Sequence, residues 1–283
     1  MPTLMRPSTE GAKHLHGFAY GKSRVGKTTL GIHFHKAGFP LLVVTMEPGP
    51  VRAAMDAAGV TDAPIMVPAD ADDLFLFLEY QIPYLDRHLN SYRPGMVLLD
   101  NIRGLQTLLI GEPERKAQTI DGIKIEAQAA TGLMRLPNSR DAGAPGLPAF
   151  KDYRILDRET RRLLRCVDGM EYHTLITAHE DLDYDAKTRL MTAGLEGKQA
   201  AGKPRVISGF PSMEGFETKK DIPGLISGPF LHMTRSESGR YQIWTQSHDE
   251  WFADGRGINA TSANPIDWTD KDGCAILVGG RTK

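Results

Sequence analysis

Gly21-Lys22-Ser23-Arg24-Val25-Gly26-Lys27-Thr28 satisfies the pattern G-x-x-x-x-G-K-[ST], the spacing of a loop built to hold a triphosphate. Glycine at both ends lets backbone N–H groups turn inward onto phosphate oxygens, and a helix starting beyond the second glycine adds the positive end of its dipole. Lys27 then reaches the β- and γ-phosphates, and the Thr28 hydroxyl ligates Mg2+. The binding set is Gly21, Lys22, Ser23, Arg24, Val25, Gly26, Lys27, Thr28 and Thr29. The ligands it implies are ATP and Mg2+, although no motif reads adenine against guanine.

Three further residues extend this site. Asp100 ends the apolar run Met96-Val97-Leu98-Leu99, where a carboxylate (the Walker B position) shares the metal shell with Thr28. The competing reading is an aspartate that caps the next helix. Asn101, not a glutamate, follows it, so the base that activates water must come from elsewhere. Glu47 closes the Leu41–Met46 run and precedes the turn Pro48-Gly49-Pro50. Strands of doubly wound sheets deliver residues to the ligand crevice at their C-terminal ends, and a carboxylate there can orient and deprotonate water. His179, in Thr177-Ala178-His179-Glu180, stands at the end of a third apolar strand, where it can sense the γ-phosphate.

The elements that must place these residues alternate between strand and helix, which predicts a mostly parallel sheet covered by helices. Strands are expected at 16–20, 40–46, 96–100 and 174–178, and helices at 28–37, 70–89 and 152–168. Phe230–Arg235 and Tyr241–Thr245 flank Ser236-Glu237-Ser238-Gly239-Arg240, which predicts a C-terminal antiparallel hairpin. The stretches 111–150 and 181–223 are rich in small and turn residues and read as mobile loops. The domain reading is a tail at 1–13, one α/β domain over 14–260 and a tail at 261–283.

Charge is balanced, with 34 basic against 35 acidic residues, so any nucleic-acid surface must be local. Lys187, Arg189, Lys198, Lys203 and Arg205 face only Glu196 in their stretch, and they are the candidates for gripping a DNA backbone. The arginines of helix 152–168 read instead as an exposed face balanced by Asp157 and Glu159. Cys166 and Cys274 lack metal-ligand spacing and suit a reducing compartment. Neither a signal-like apolar run nor a membrane-length apolar stretch is evident, so the expected location is cytoplasmic and no membrane partner is expected.

The order phosphate loop, glutamate after the next strand, Walker B aspartate, polar sensor and loop resembles the RecA-like ATPase core. Within it, the chain resembles the compact phage-encoded RecA-like ATPases of single-strand annealing and recombination, over residues 14–260. That resemblance implies a RecA-like P-loop fold and Mg2+-dependent ATP hydrolysis acting on single-stranded DNA, with 111–150 and 181–223 facing the strand. It also implies a homo-oligomeric ring or filament, with a basic finger supplied in trans, for which Arg256 is the first candidate. A single-strand-binding or annealing protein would be a partner, and the compartment would be a bacterial host cytoplasm. A second resemblance is to the ParA and MinD partition ATPases, whose loop Gly-Lys-Gly-Gly-Val-Gly-Lys-Thr-Thr is partly matched. There Lys22 would cross the interface of a nucleotide-gated dimer. Ser23-Arg24 replaces the paired glycines of that family, and Asn101-Ile102 follows Asp100 where it carries a proline-containing switch. A third reading is a nucleotide-binding scaffold with little turnover.

Overall fold

The structure, a computed structural model, describes residues 14–82, 92–110, 118–120, 123–128, 133–135, 150–182, 209–212, 224–248, 251–256, 258, 264–268 and 277–278. The apolar runs Leu41–Val44 (β2) and Met96–Leu99 (β4) are buried on both faces, as the inner strands of a parallel sheet must be. They lie with β3 (Ile65–Met66), β8 (His173–Leu182), β1 (His16–Gly21) and β10 (Phe230–Arg235) in the order β3-β2-β4-β8-β1-β10, every pairing parallel. The expected hairpin follows: β11 (Tyr241–Trp244) pairs antiparallel with β10, from Arg235↔Tyr241 to His232↔Trp244, with Gly239 at φ 83° in the turn.

Successive side chains of these strands point to opposite faces, and the two faces carry separate cores. Ala19, Leu41, Val43, Leu98 and Leu175 pack under α1 (Lys27–Lys36) and α2 (Pro48–Ala58). Tyr20, Leu42, Val44, Leu99 and Ile176 pack under α3 (Ala71–Leu76), α4 (Ile102–Ile110) and α5 (Phe150–Asp168). Two arginines of α5 find acids close by: Arg161 reaches Asp157 at 2.8 Å, and Arg162 grips Glu79 with two bonds of 2.8 and 2.7 Å.

Several boundaries differ from the sequence reading. β2 stops at Val44 rather than Met46. The helix expected over 70–89 is capped by the Asp70 carboxylate, which accepts from the Asp73 N–H, and passes into a π turn at Phe77–Gln81. Residues 83–91 lie outside the described residues. The third strand runs past Ala178 to Leu182 because β9 (Gly209–Pro211) pairs antiparallel with its end, Glu180 opposite Pro211. Within 111–150, read as a loop, β5 (Gln118–Ile120), β6 (Ile123–Gln128) and β7 (Leu133–Arg135) form a separate antiparallel sheet. Period-two alternation over Ile123-Lys124-Ile125-Glu126 is the signal that marks it.

The segment 261–283, read as a tail, supplies structure to the core. β14 (Ile266–Asp267) pairs with β11, and the adjoining Trp268 is fully buried. Its ring stacks on Tyr241 at 5.4 Å and lies directly beneath Gly26, where an added Cβ would meet Trp268 Cζ2 at 3.3 Å. Trp268→Ala is therefore expected to lower stability by about 3–5 kcal/mol in denaturant unfolding. A loss below about 1 kcal/mol would return 261–283 to the status of a tail.

Candidate functional site

The phosphate loop begins where β1 ends, at the centre of the sheet. Gly21 packs so closely on the backbone of Met233 that a side chain would collide with the Met233 carbonyl. Gly26 adopts φ 91°, a left-handed conformation that costs a glycine little, and Arg24 shares that region at φ 64°. α1 then starts with Gly26 at its cap, a residue with no side chain to cap the first N–H groups. The free N–H groups and the dipole of a helix N-terminus in this position favour an anion.

Lys27 is buried and turns back into the loop, donating to the carbonyls of Gly21 at 2.8 Å and Lys22 at 2.6 Å. Burial pushes its ammonium down to about 8, opposed by the charges of Asp100 and Glu180. Phosphate oxygens entering the loop offer the same acceptor chemistry with added negative charge.

The Thr28 hydroxyl donates to Asp100 Oδ2 at 2.8 Å, so the two groups expected to share a metal shell already meet. Asp100 is not spent on capping α4. That task falls to Asn101, whose Oδ1 accepts from the Gly104 N–H at 2.9 Å. The other oxygen of Asp100 accepts from the Thr177 hydroxyl. Among the described residues no group of three or more His, Cys, Asp or Glu side chains gathers as a metal cluster. A hydroxyl and one carboxylate beside a phosphate site fit Mg2+, which keeps its waters and draws most ligands from phosphate.

Glu47 stands at the N-terminus of α2 with its side chain exposed and uncommitted to capping, while its N–H donates to the Thr45 hydroxyl at 2.9 Å. His179 pairs with Gly21 across β8 and β1. Its imidazole is held below the usual histidine range by burial and by the nearby Lys27, against the fields of Glu47 and Asp100. The structure thus brings Lys27, Thr28, Asp100, Glu47 and His179 to the C-terminal end of the inner strands. Ser23 and Arg24 are exposed on the outer side of the loop, Val25 is buried, and Thr29 is half-buried on α1. Lys22, with 80% of its side chain exposed, approaches Glu180 Oε1 at 3.9 Å. Arg256 is bound within its own chain, its Nε donating to Asp254 Oδ2 at 2.8 Å. Lys187, Arg189, Lys198, Lys203 and Arg205 lie outside the described residues.

Sequence reasoning missed Thr177, which braces Asp100, and Glu180, which the extension of β8 carries to the loop. No family model matches the chain, and no curated protein matches it.

Two outcomes are expected. Thr177→Val removes a charge-assisted bond to Asp100, so the Mg2+ requirement of nucleotide binding should rise roughly tenfold with little change in melting temperature; an unchanged requirement would detach Thr177 from the metal. With its ammonium pushed down to about 8, Lys27 of the ligand-free protein would be half deprotonated at that pH, whereas bound phosphate would hold the proton. Binding should therefore take up a proton, and affinity should fall as pH rises through that range, by up to about tenfold per unit. Calorimetry at about pH 9 in buffers of different ionisation enthalpy reads that uptake, which Lys27→Ala should abolish.

Proposed function

We propose that the chain is a Mg2+-dependent nucleoside triphosphatase of the RecA-like type, using ATP and acting on single-stranded DNA. The observation that carries the hydrolase reading is the convergence of Lys27, Thr28, Asp100, Glu47 and His179 around a helix N-terminus whose cap residue is a glycine. Water would attack the γ-phosphorus in line with the departing diphosphate, with Glu47 orienting it and taking its proton. Lys27 would neutralise charge on the phosphates. Thr28 and Asp100 would hold Mg2+, which when bound would supply further neutralisation of the phosphate charge.

The placement of β8 supports the RecA-like form of this reading. This strand lies between β1 and β4, so it touches the phosphate loop through His179 and the metal carboxylate through Thr177. It then leads directly toward the stretch that holds the candidate DNA-binding residues Lys187 to Arg205. A γ-phosphate sensed at His179 would be felt first at that stretch.

The test is the hydrolysis rate with and without single-stranded DNA. Lys27→Ala should abolish turnover, and Glu47→Gln should reduce it about 100-fold or more while nucleotide still binds. Strand stimulation should fade with added salt. A rate unmoved by Glu47→Gln would favour a scaffold with little turnover. Nucleotide-gated dimers lost on Lys22→Ala would favour the partition-type switch.

A further inference from the structure

A second site adjoins the phosphate loop. The pairings β1–β8, β8–β9, β9–β13, β13–β10 and β10–β1, with β13 at Trp251–Asp254, close five strands into a ring. Aromatic side chains fill it: Phe18 stacks on Phe230 at 5.4 Å, Phe230 meets Phe252 at 5.7 Å, and the Tyr20 hydroxyl donates to the Phe252 carbonyl. His232 follows Phe230 on the strand face turned away from α1, while Leu231 and Met233 pack on the α1 side.

At the end of the ring where β1 enters the loop, four rings form one aromatic column built of two stacked pairs: Trp251 lies on His232 at 4.7 Å and 17°, and His248 lies on Trp244 at 3.6 Å and 20°. The two pairs meet edge to edge, with His232 Nδ1 hydrogen-bonded to His248 Nε2 at 2.8 Å and the two imidazoles inclined by 25°, while His232 Nε2 bonds to Glu180 Oε2 at 3.2 Å. His248 belongs to β12 (Gln246–His248), which pairs with β13, so the column rests on paired strands rather than on loops.

This column walls a cleft of about 460 Å³, within the usual size of ligand pockets. Lys22, Arg24 and Arg235 stand exposed at its rim. Glu180 is the acid among the described residues that line it, and its two oxygens already face His232 and Lys22. Flat aromatic walls beneath a positive rim are the chemistry of single-strand recognition, in which bases stack and cations follow the backbone.

We infer that the cleft takes one nucleotide unit of a single-stranded nucleic acid, its base against the Trp251–His248 column and its phosphates on Lys22, Arg24 and Arg235. The inference rests on the strand-acting reading above and adds a site to it. The cleft and the phosphate loop share Lys22 to Val25, and Lys27 is bonded to the carbonyls of Gly21 and Lys22. An occupant therefore pulls on the same backbone that the catalytic lysine holds.

The experiment is anisotropy of a short labelled oligothymidylate with the full chain, nucleotide-free, against an abasic strand of equal length. The thymidylate should bind about fivefold or more tighter than the abasic strand. Trp251→Phe and Arg235→Gln should each weaken it severalfold with melting temperature held, and Arg235→Gln should keep its triphosphate affinity. Equal affinity for the abasic strand, or unaltered affinity in a folded Arg235→Gln protein, would overturn the inference. Displacement of the strand from Lys27→Ala protein by free ATP would overturn it in favour of a mononucleotide. Strand binding is read without hydrolysis, so its failure leaves the hydrolase reading standing, and loss of turnover alone leaves the cleft standing.

Discussion

The Lys27 ammonium is buried at the end of the central strand, and a charge taken from water must be met by fixed dipoles or opposite charge. Two loop carbonyls and the fields of Asp100 and Glu180 meet it here. That constraint explains much of the surrounding architecture. The loop must curl tightly enough to turn its own carbonyls onto the amine, which places Gly26 in a left-handed conformation over Trp268. It also fixes where β1 must end, against the backbone of Met233. In this form the lysine acts as a clasp on its own loop, and an arriving phosphate competes with the two carbonyls for the same N–H donors.

The strand inserted between β1 and β4 gives the clasp its surroundings. β8 sends Thr177 to Asp100 and sets His179 beside Gly21, while its next residue, Glu180, reaches the opposite face and the Lys22 side chain. One strand therefore meets the Asp100 carboxylate, the loop and the column behind it. Side chains alternating along a strand suffice to divide these tasks between the two faces. Asn101 completes the arrangement by capping α4 and leaving both Asp100 oxygens to Thr28 and Thr177.

The loop and Asp100 were legible in the sequence because their chemistry demands particular residue types at particular spacings. The α/β class and the closing hairpin were legible because buried strands read as apolar runs and Gly239 sits where a turn needs a positive φ. Thr177 was hidden inside an apolar run, where a hydroxyl gives no hint of its partner. Glu180, His232, His248 and Trp251 were hidden for a different reason. They lie on four strands spread between residues 180 and 251, and only the pairings of β8, β10, β12 and β13 bring them together. Trp268 adjoins a two-residue strand among turn-forming residues, too short for any periodicity to mark.

The inner and outer sides of the loop differ in how firmly they are held, and that difference bears on coupling. On the inner side Lys27 is buried and doubly bonded, so moving it exposes unsatisfied groups and costs a great deal. On the outer side Lys22 leans toward Glu180 at 3.9 Å while mostly exposed, an ion pair worth at most about 1 kcal/mol. A ligand phosphate can take Lys22 from Glu180 at little cost. Glu180 keeps its bond to the buried His232, so the column stays in place as the lysine leaves. The outer side is thus the one that yields to an occupant of the cleft. The Lys22 carbonyl, bonded to the Lys27 amine, would be the shortest route by which that motion reaches a phosphate held in the loop.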